Sequence, residues 1–162
     1  MTTVRPLLPS DTIAVWEAYR AQDRGGDLHD DLATGWSLGD FDRMLWRRGA
    51  VQHAAVARDL PVALGRLVDI DFRNRAGRFE YWRLAGPDPV VAGALVEGAL
   101  RHAFADLGLH RVAFLLPSYL DGPDHEAVTR WFEPEGTLSA YLFRRGRWWD
   151  VQAFGVLEAR TP

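Results

Sequence analysis

The side chains able to take up or release a proton near neutral pH are few in this sequence, and their spacing limits the chemistry. The five histidines stand at positions 29, 53, 102, 110 and 125, with no two of them four apart, so no helical pair offers a metal-ligand set. Cysteine is absent, which excludes disulfides, thiolate metal sites and a sulfur nucleophile, and agrees with a reducing, cytoplasmic setting. What remains is acid–base chemistry by carboxylates, imidazole and hydroxyls. Glu80 lies in Arg78-Phe-Glu-Tyr-Trp-Arg-Leu84, an alternation of charged and apolar residues that suits a strand with one wet or ligand-facing side. Asp69 and Asp71, two apart in a β-prone run, share a face by strand period, although a neighbouring turn gives aspartate a purely backbone reason to be there. Ser118, Tyr119 and His125 follow one another through Pro117-Ser-Tyr-Leu-Asp-Gly-Pro-Asp-His125 and supply two hydroxyls and an imidazole. Asp23, Asp27, Asp30 and Asp31 surround His29 in an acidic loop that either draws a cationic amine or simply stays solvated.

A scaffold must position these groups. Val4 to Leu8 is a short β-prone run ended by Pro9, and Ser10 is placed to cap a helix carrying Ile13, Trp16, Ala18 and Tyr19. Ser37 with Asp40 has the spacing of a capping box for a second helix with Phe41, Met44 and Leu45. Val51 to Ala57 and Val62 to Ile70 read as a hairpin turning at Asp59-Leu-Pro61, followed by a turn at residues 73–77 and the strand Arg78 to Leu84. Asp88-Pro89 opens a long helix with Val91, Leu95, Ala99, Leu100, Ala103 and Phe104 at helical spacing, and Gly108 stops it. Arg111 to Leu116 is a compact apolar strand, 126–132 a short helix, and 133–157 a hairpin turning at Arg145-Gly146. The order β-α-α-β-β-β-α-β-α-β-β predicts a three-layer α/β domain spanning 1–162, with a mostly antiparallel sheet and one central crossover. Length and a 48% hydrophobic composition suit one such domain. A net charge of −3 with no basic stripe argues against nucleic acid as a partner. The apolar run from Val90 to Leu100 is too short for a bilayer and is interrupted by Glu97. Trp36, Trp46, Trp82, Trp131, Trp148 and Trp149 supply core, pocket wall or a homodimer contact.

Four segments together resemble the GCN5-related N-acetyltransferase (GNAT) family, in the branch of the ribosomal-protein N-terminal acetyltransferases. They are Ile70-Asp-Phe-Arg-Asn-Arg75 running into Phe79-Glu-Tyr-Trp82, Ala103-Phe-Ala-Asp-Leu-Gly-Leu-His-Arg-Val112, Glu135-Gly136, and Gly146-Arg-Trp-Trp-Asp150. The resemblance implies a V-shaped opening between the strands at 78–84 and 111–116 that receives acetyl-CoA or another acyl-CoA, with Trp82, Arg83, Leu84, Ala92 and Gly93 on its cofactor side. It implies a small-molecule or peptide amine as acceptor, with Tyr81, Asp30 and Trp36 near it. Glu80 is then the first choice as base, and Tyr119, Ser118 and His125 are the nearest groups to protonate a leaving thiolate. No metal is called for. The family's diphosphate loop has Gln or Arg, two residues, Gly, one residue, then Gly or Ala; Pro87-Asp-Pro-Val-Val-Ala-Gly-Ala94 has no register of it. An Asp88 cap would occupy the very N–H groups a diphosphate needs, so weakened CoA binding is expected. The alternative is a chain that has left CoA behind and uses the same cleft for a cyclisation, isomerisation or decarboxylation, or only to bind a ligand.

Overall fold

The computed structural model describes residues 2–21, 36–86 and 88–158. Seven strands form one sheet: β1 (Thr2–Pro6), β2 (Val51–Ala57), β3 (Leu60–Asp71), β4 (Ala76–Arg83), β5 (Arg111–Pro117), β6 (Glu133–Arg144) and β7 (Arg147–Leu157). Their spatial order is β1-β2-β3-β4-β5-β7-β6. Every neighbouring pair is antiparallel except β4 and β5, which run parallel because helix α3 (Pro89–Arg101) crosses between them. This is the predicted α/β architecture.

Two apolar clusters flank the sheet. Beneath α3 lie Leu67, Phe79, Tyr81, Phe114, Val112 and Val156, met by the helix's Val91, Ala92, Leu95, Val96, Ala99 and Leu100. On the other face Leu64, Trp82 and Leu84 meet Val15 of α1 (Thr12–Ala21) and Phe41 and Leu45 of α2 (Leu38–Leu45). Strand parity decides which cluster a residue joins, so Phe79, Tyr81 and Arg83 look one way while Arg78, Glu80, Trp82 and Leu84 look the other.

Local signals mostly act where the sequence puts them. Ser37 and Asp40 form the reciprocal capping box of α2. Arg145 and Gly146, both at positive φ, make the two-residue turn between Arg144 and Arg147. Three expectations need correction. Ser10 does not cap α1: Pro9–Asp11 is a 3-10 turn, closed by the Asp11 carboxylate accepting from Leu8 N–H, and the helix proper starts at Thr12. The β2–β3 turn is Arg58-Asp59, both at positive φ, so Leu60 and Pro61 already belong to β3; a bulge at Ala55–Val56 accommodates the proline. A second bulge between Val68 and Asp71, with Asp69 at φ 52°, interrupts the alternation that would have paired Asp69 with Asp71 on one face.

Candidate functional site

The sheet opens where the parallel pair β4–β5 ends. β4 and β5 are matched from Ala76–Arg111 to Phe79–Phe114, after which β4 continues against β3 as far as Arg83 and β5 against β7 as far as Pro117. The gap is lined by Arg78, Phe79, Glu80 and Tyr81 from β4 and Phe114, Leu115 and Leu116 from β5, and is closed by Leu120 and His125. Its cavity is about 10 Å³, room for roughly one water. Leu84 N–H donates to Val62 C=O across to β3, so by strand alternation the peptide groups of Tyr81 and Arg83 face the gap.

On the α3 side the gap is floored by a polar group inside apolar surroundings. Tyr81 donates its hydroxyl to Asp124 Oδ2 at 3.0 Å, and Arg83 Nη1 lies 3.9 Å from the same oxygen. Asp124 is fully buried, and its Oδ1 has no hydrogen-bond partner among the described residues. His125 is buried beside it and meets the Tyr81 ring edge-on at 5.9 Å. Its Nδ1 lies 3.2 Å from the Asp121 carbonyl; a carbonyl only accepts, so Nδ1 carries the proton and Nε2 is the basic nitrogen of the neutral ring. Helix α4 (Pro123–Thr129) fixes both residues, entered through Gly122 at φ 112° and Pro123 in its first turn. The sequence had named Tyr81 and His125 but not Asp124, whose only signal was its place after Gly122-Pro123.

On the opposite side Glu80 is held by two arginines, Arg66 Nη1 at 2.8 Å on Oε2 and Arg78 Nη1 at 2.9 Å on Oε1. With both carboxylate oxygens bonded, the geometry presents an ion-pair partner rather than a free base. Burial pulls the Arg66 guanidinium down to about 10, with Glu80 opposing, so it stays charged at neutral pH. Burial also works against the charge of Arg78, but Glu80 and Asp69 outweigh it and hold that guanidinium above its usual value. Asp69 takes Arg78 at 2.7 Å and Arg47 at 3.0 Å; burial would raise its carboxyl, and the two arginines bring it below the ordinary range instead. Asp71 serves the turn, accepting from the N–H groups of Arg73 and Asn74.

At the start of α3 every donor is already spent. Pro89 has none, Val90 and Val91 both donate to Asp88 Oδ1 at 3.1 Å, and Ala92 donates to Asp88 C=O at 3.0 Å. Ala92 is buried in the core, and a Cβ on Gly93 would meet nothing within 4 Å, so neither residue marks a tight cradle. The first turn of α3 in this form does not fit a diphosphate. Beside it lies a larger cavity of about 230 Å³, lined by Thr2, Ala57, Val62, Ala63, Tyr81, Ala85, Gly86, Asp88 and Val91.

Other expected site residues fall elsewhere. Trp82 and Leu84 are buried in the α1–α2 cluster, and Trp36 packs on its rim, so the side chains of Trp82 and Tyr81 do not share a wall. Tyr119 is sandwiched by the Arg144 guanidinium at 4.7 Å and the edge of Trp149 at 5.0 Å, which ties it to the β6–β7 hairpin, and the Ser118 side chain is exposed. The cavity at the strand gap is lined by Leu120 and His125 rather than by either hydroxyl. The acidic loop with Asp30 and His29, and Pro87, lie outside the described residues. Among the described residues no group of three His, Asp or Glu is arranged to hold a metal ion, and no helix is long and apolar enough to cross a membrane.

No protein-family model matches the chain, and no curated protein is similar to it in sequence. Solved structures match its fold over nearly the whole length. A probable acetyltransferase superposes with a TM-score of 0.80 at 21% identity, over 98% of this chain and 93% of that one. A point variant of the spermidine N-acetyltransferase SpeG of Vibrio cholerae gives 0.76 at 18%, over 98% and 96%. A chimera of that enzyme with hSSAT gives 0.78 at 18%, over 99% and 97%. The chain therefore has the GNAT fold; at these identities the likeness is one of architecture.

Proposed function

We propose that this chain is an N-acyltransferase that moves an acyl group from a thioester donor to an amine, with His125 as the base. The observation that carries this is the parting of β4 and β5 after Phe79–Phe114, with the peptide edges of Tyr81 and Arg83 facing the gap and an imidazole at its mouth. An acyl-CoA donor would supply the activated carbonyl. The strand edge would grip its amide-bearing arm, while the Asp88 cap leaves little hold for its diphosphate. His125, its Nδ1–H fixed on Asp121, would take the ammonium proton on Nε2, and Tyr81 and Asp124 would keep the ring edge in place. The amine nitrogen would then bond the acyl carbon as the thioester C–S bond breaks, and the thiolate would leave with the second proton that this nitrogen gives up. Glu80 would set the charge of the neighbouring arginines instead of shuttling a proton. The sequence resemblance left the acceptor as a small-molecule or peptide amine, and solved structures that share this architecture include spermidine acetyltransferases; the acceptor class is taken up below.

The test is turnover against binding in His125→Gln. General-base loss should lower kcat by roughly 10²- to 10⁴-fold while donor binding is kept; an unchanged kcat would remove His125 from the role. A second reading, in which CoA is not used, is favoured by the closed first turn of α3 and by the 230 Å³ cavity beside Tyr81. Under it the protein would bind a small ligand there and show no response to acyl-CoA.

A further inference from the structure

The sheet face under α1 and α2 carries more guanidinium than carboxylate. Along Arg66–Glu80–Arg78–Asp69–Arg47 each of the four carboxylate oxygens already accepts from an arginine. Among the described residues, three cations thus meet two anions in this network, and both of its ends are cationic. The outer end, Arg47, is half exposed, while the inner end, Arg66, is buried. Arg66 gives Nε to Gln52 at 3.1 Å and Nη1 to Glu80, and lies over the Trp82 ring at 4.2 Å. Its Nη2 is buried and has no hydrogen-bond partner among the described residues. A buried donor without an acceptor is costly, and more so when it carries charge. Backbone strain is spent at the same place: Asp69 adopts φ 52° at a bulge and in that form reaches both Arg47 and Arg78.

We infer that this arginine set is an anion subsite and that the acceptor amine bears a carboxylate, bound by Arg66 Nη2. Charge and donor count select the ligand class. Among the described residues, one surplus positive charge and one spare buried amino group, Nη2 with its two N–H, match a single carboxylate, whereas a phosphate dianion would overshoot the charge. A polycation would add charge to an already cationic set. Position agrees, since Arg78 and Glu80 of this set also line the gap between β4 and β5. An amino acid or similar short amine with a carboxylate could therefore rest on Arg66 and present its nitrogen toward the gap. With Nη2 covered and only about 10 Å³ in the gap, Glu80 or Arg78 must swing aside to admit it. The inference rests on the acyl-transfer reading only in calling the ligand an acceptor.

The test uses the whole chain, labelled with 15N-arginine, without any acyl donor. The Arg66 Nε–H signal, assigned through bonds, is followed while glycine, N-acetylglycine, ethanolamine, spermidine or inorganic phosphate is added at constant ionic strength. Glycine and N-acetylglycine should shift it saturably, and ethanolamine and spermidine should not; Arg66→Lys should bind glycine roughly 10- to 100-fold more weakly. A signal indifferent to both carboxylates, or moved at lower concentration by spermidine or phosphate, would overturn the inference, as would unaltered glycine binding in Arg66→Lys. The wild-type titration decides the matter even if that variant does not fold. Because no donor is present, failure of acyl transfer leaves a positive result standing, and an active acyltransferase blind to carboxylates would overturn this inference alone.

Discussion

Glu80→Gln separates a structural carboxylate from a catalytic base. The substitution keeps size and shape but removes the charge between Arg66, whose side chain is 3% exposed, and Arg78. Removing one partner of a buried ion pair costs about 3–5 kcal/mol, because the other charge is left in a poor dielectric without compensation. Two features place this case at the lower end: Gln retains one oxygen that can accept from Arg66, and Arg78 keeps Asp69 at 2.7 Å. A loss of about 2–3 kcal/mol is expected, or a drop in Tm of roughly 4–12 °C for a domain of this size. Urea and thermal unfolding measure it, with Glu97→Gln as control. That residue forms an exposed i,i+4 pair with Arg101 at 2.8 Å, of the kind worth about 0.3–0.5 kcal/mol. Turnover of Glu80→Gln, taken well below its Tm, should stay within about tenfold of wild type. A Tm shift no larger than the control's would refute the ion-pair reasoning, and a loss of roughly 10²- to 10⁴-fold in kcat at full folding would make Glu80 the base after all.

Three further outcomes are expected. Asparagine caps a helix about as well as aspartate, so Asp88→Asn should leave stability unchanged and remove the repulsion of a diphosphate. At ~5 Å and the dielectric of water that is about 0.8 kcal/mol per charge pair, so CoA affinity should improve roughly tenfold by calorimetry, and further in Asp88→Gly, which frees the Val90 and Val91 N–H groups; no gain in either folded variant would show that the cap is not the obstacle. Burial first, then His102, lowers the titration of His53, so the unfolded chain binds its proton more readily; the associated stability is full above about pH 6.5 and is lost as pH falls from there through the lowered folded value. Urea midpoints from pH 8 to 5 should fall less steeply in His53→Gln, and parallel profiles would exclude the histidine. Tyr81→Phe removes the donor to Asp124 Oδ2 and leaves a fully buried carboxylate less satisfied, at a cost of about 1–3 kcal/mol in urea unfolding; a neutral result would mean the hydroxyl does not support that carboxylate.

What the sequence made legible was local. The Asp88 cap, the Ser37–Asp40 box and the Arg145-Gly146 turn are written in adjacent residues and appear in the fold as read. The crossover followed from the order of elements, and the strand gap was what the family resemblance implied. The ion pairs did not, because Arg66 meets Glu80, and Tyr81 meets Asp124, across 14 and 43 positions that only strand register brings together. Parity within β4 was available and underused: alternation alone puts Glu80 with Trp82 and Tyr81 with Arg83, and so assigns Glu80 to the arginine-rich face and Tyr81 to the His125 face. The positive φ of Asp69 had only a weak sequence signal: aspartate tolerates that conformation and a turn lies nearby, but no glycine or bulge motif marks the position.

The most direct measurement is mass spectrometry of product formed from isotopically labelled acetyl-CoA in the presence of a mixture of glycine, other amino acids, spermidine and a short peptide. Enzyme-dependent label should appear on an amine, foremost on an amino acid, and should be lost in His125→Gln. Label on no amine at high protein concentration, with the donor intact, would contradict the assignment of acyl transfer to this fold.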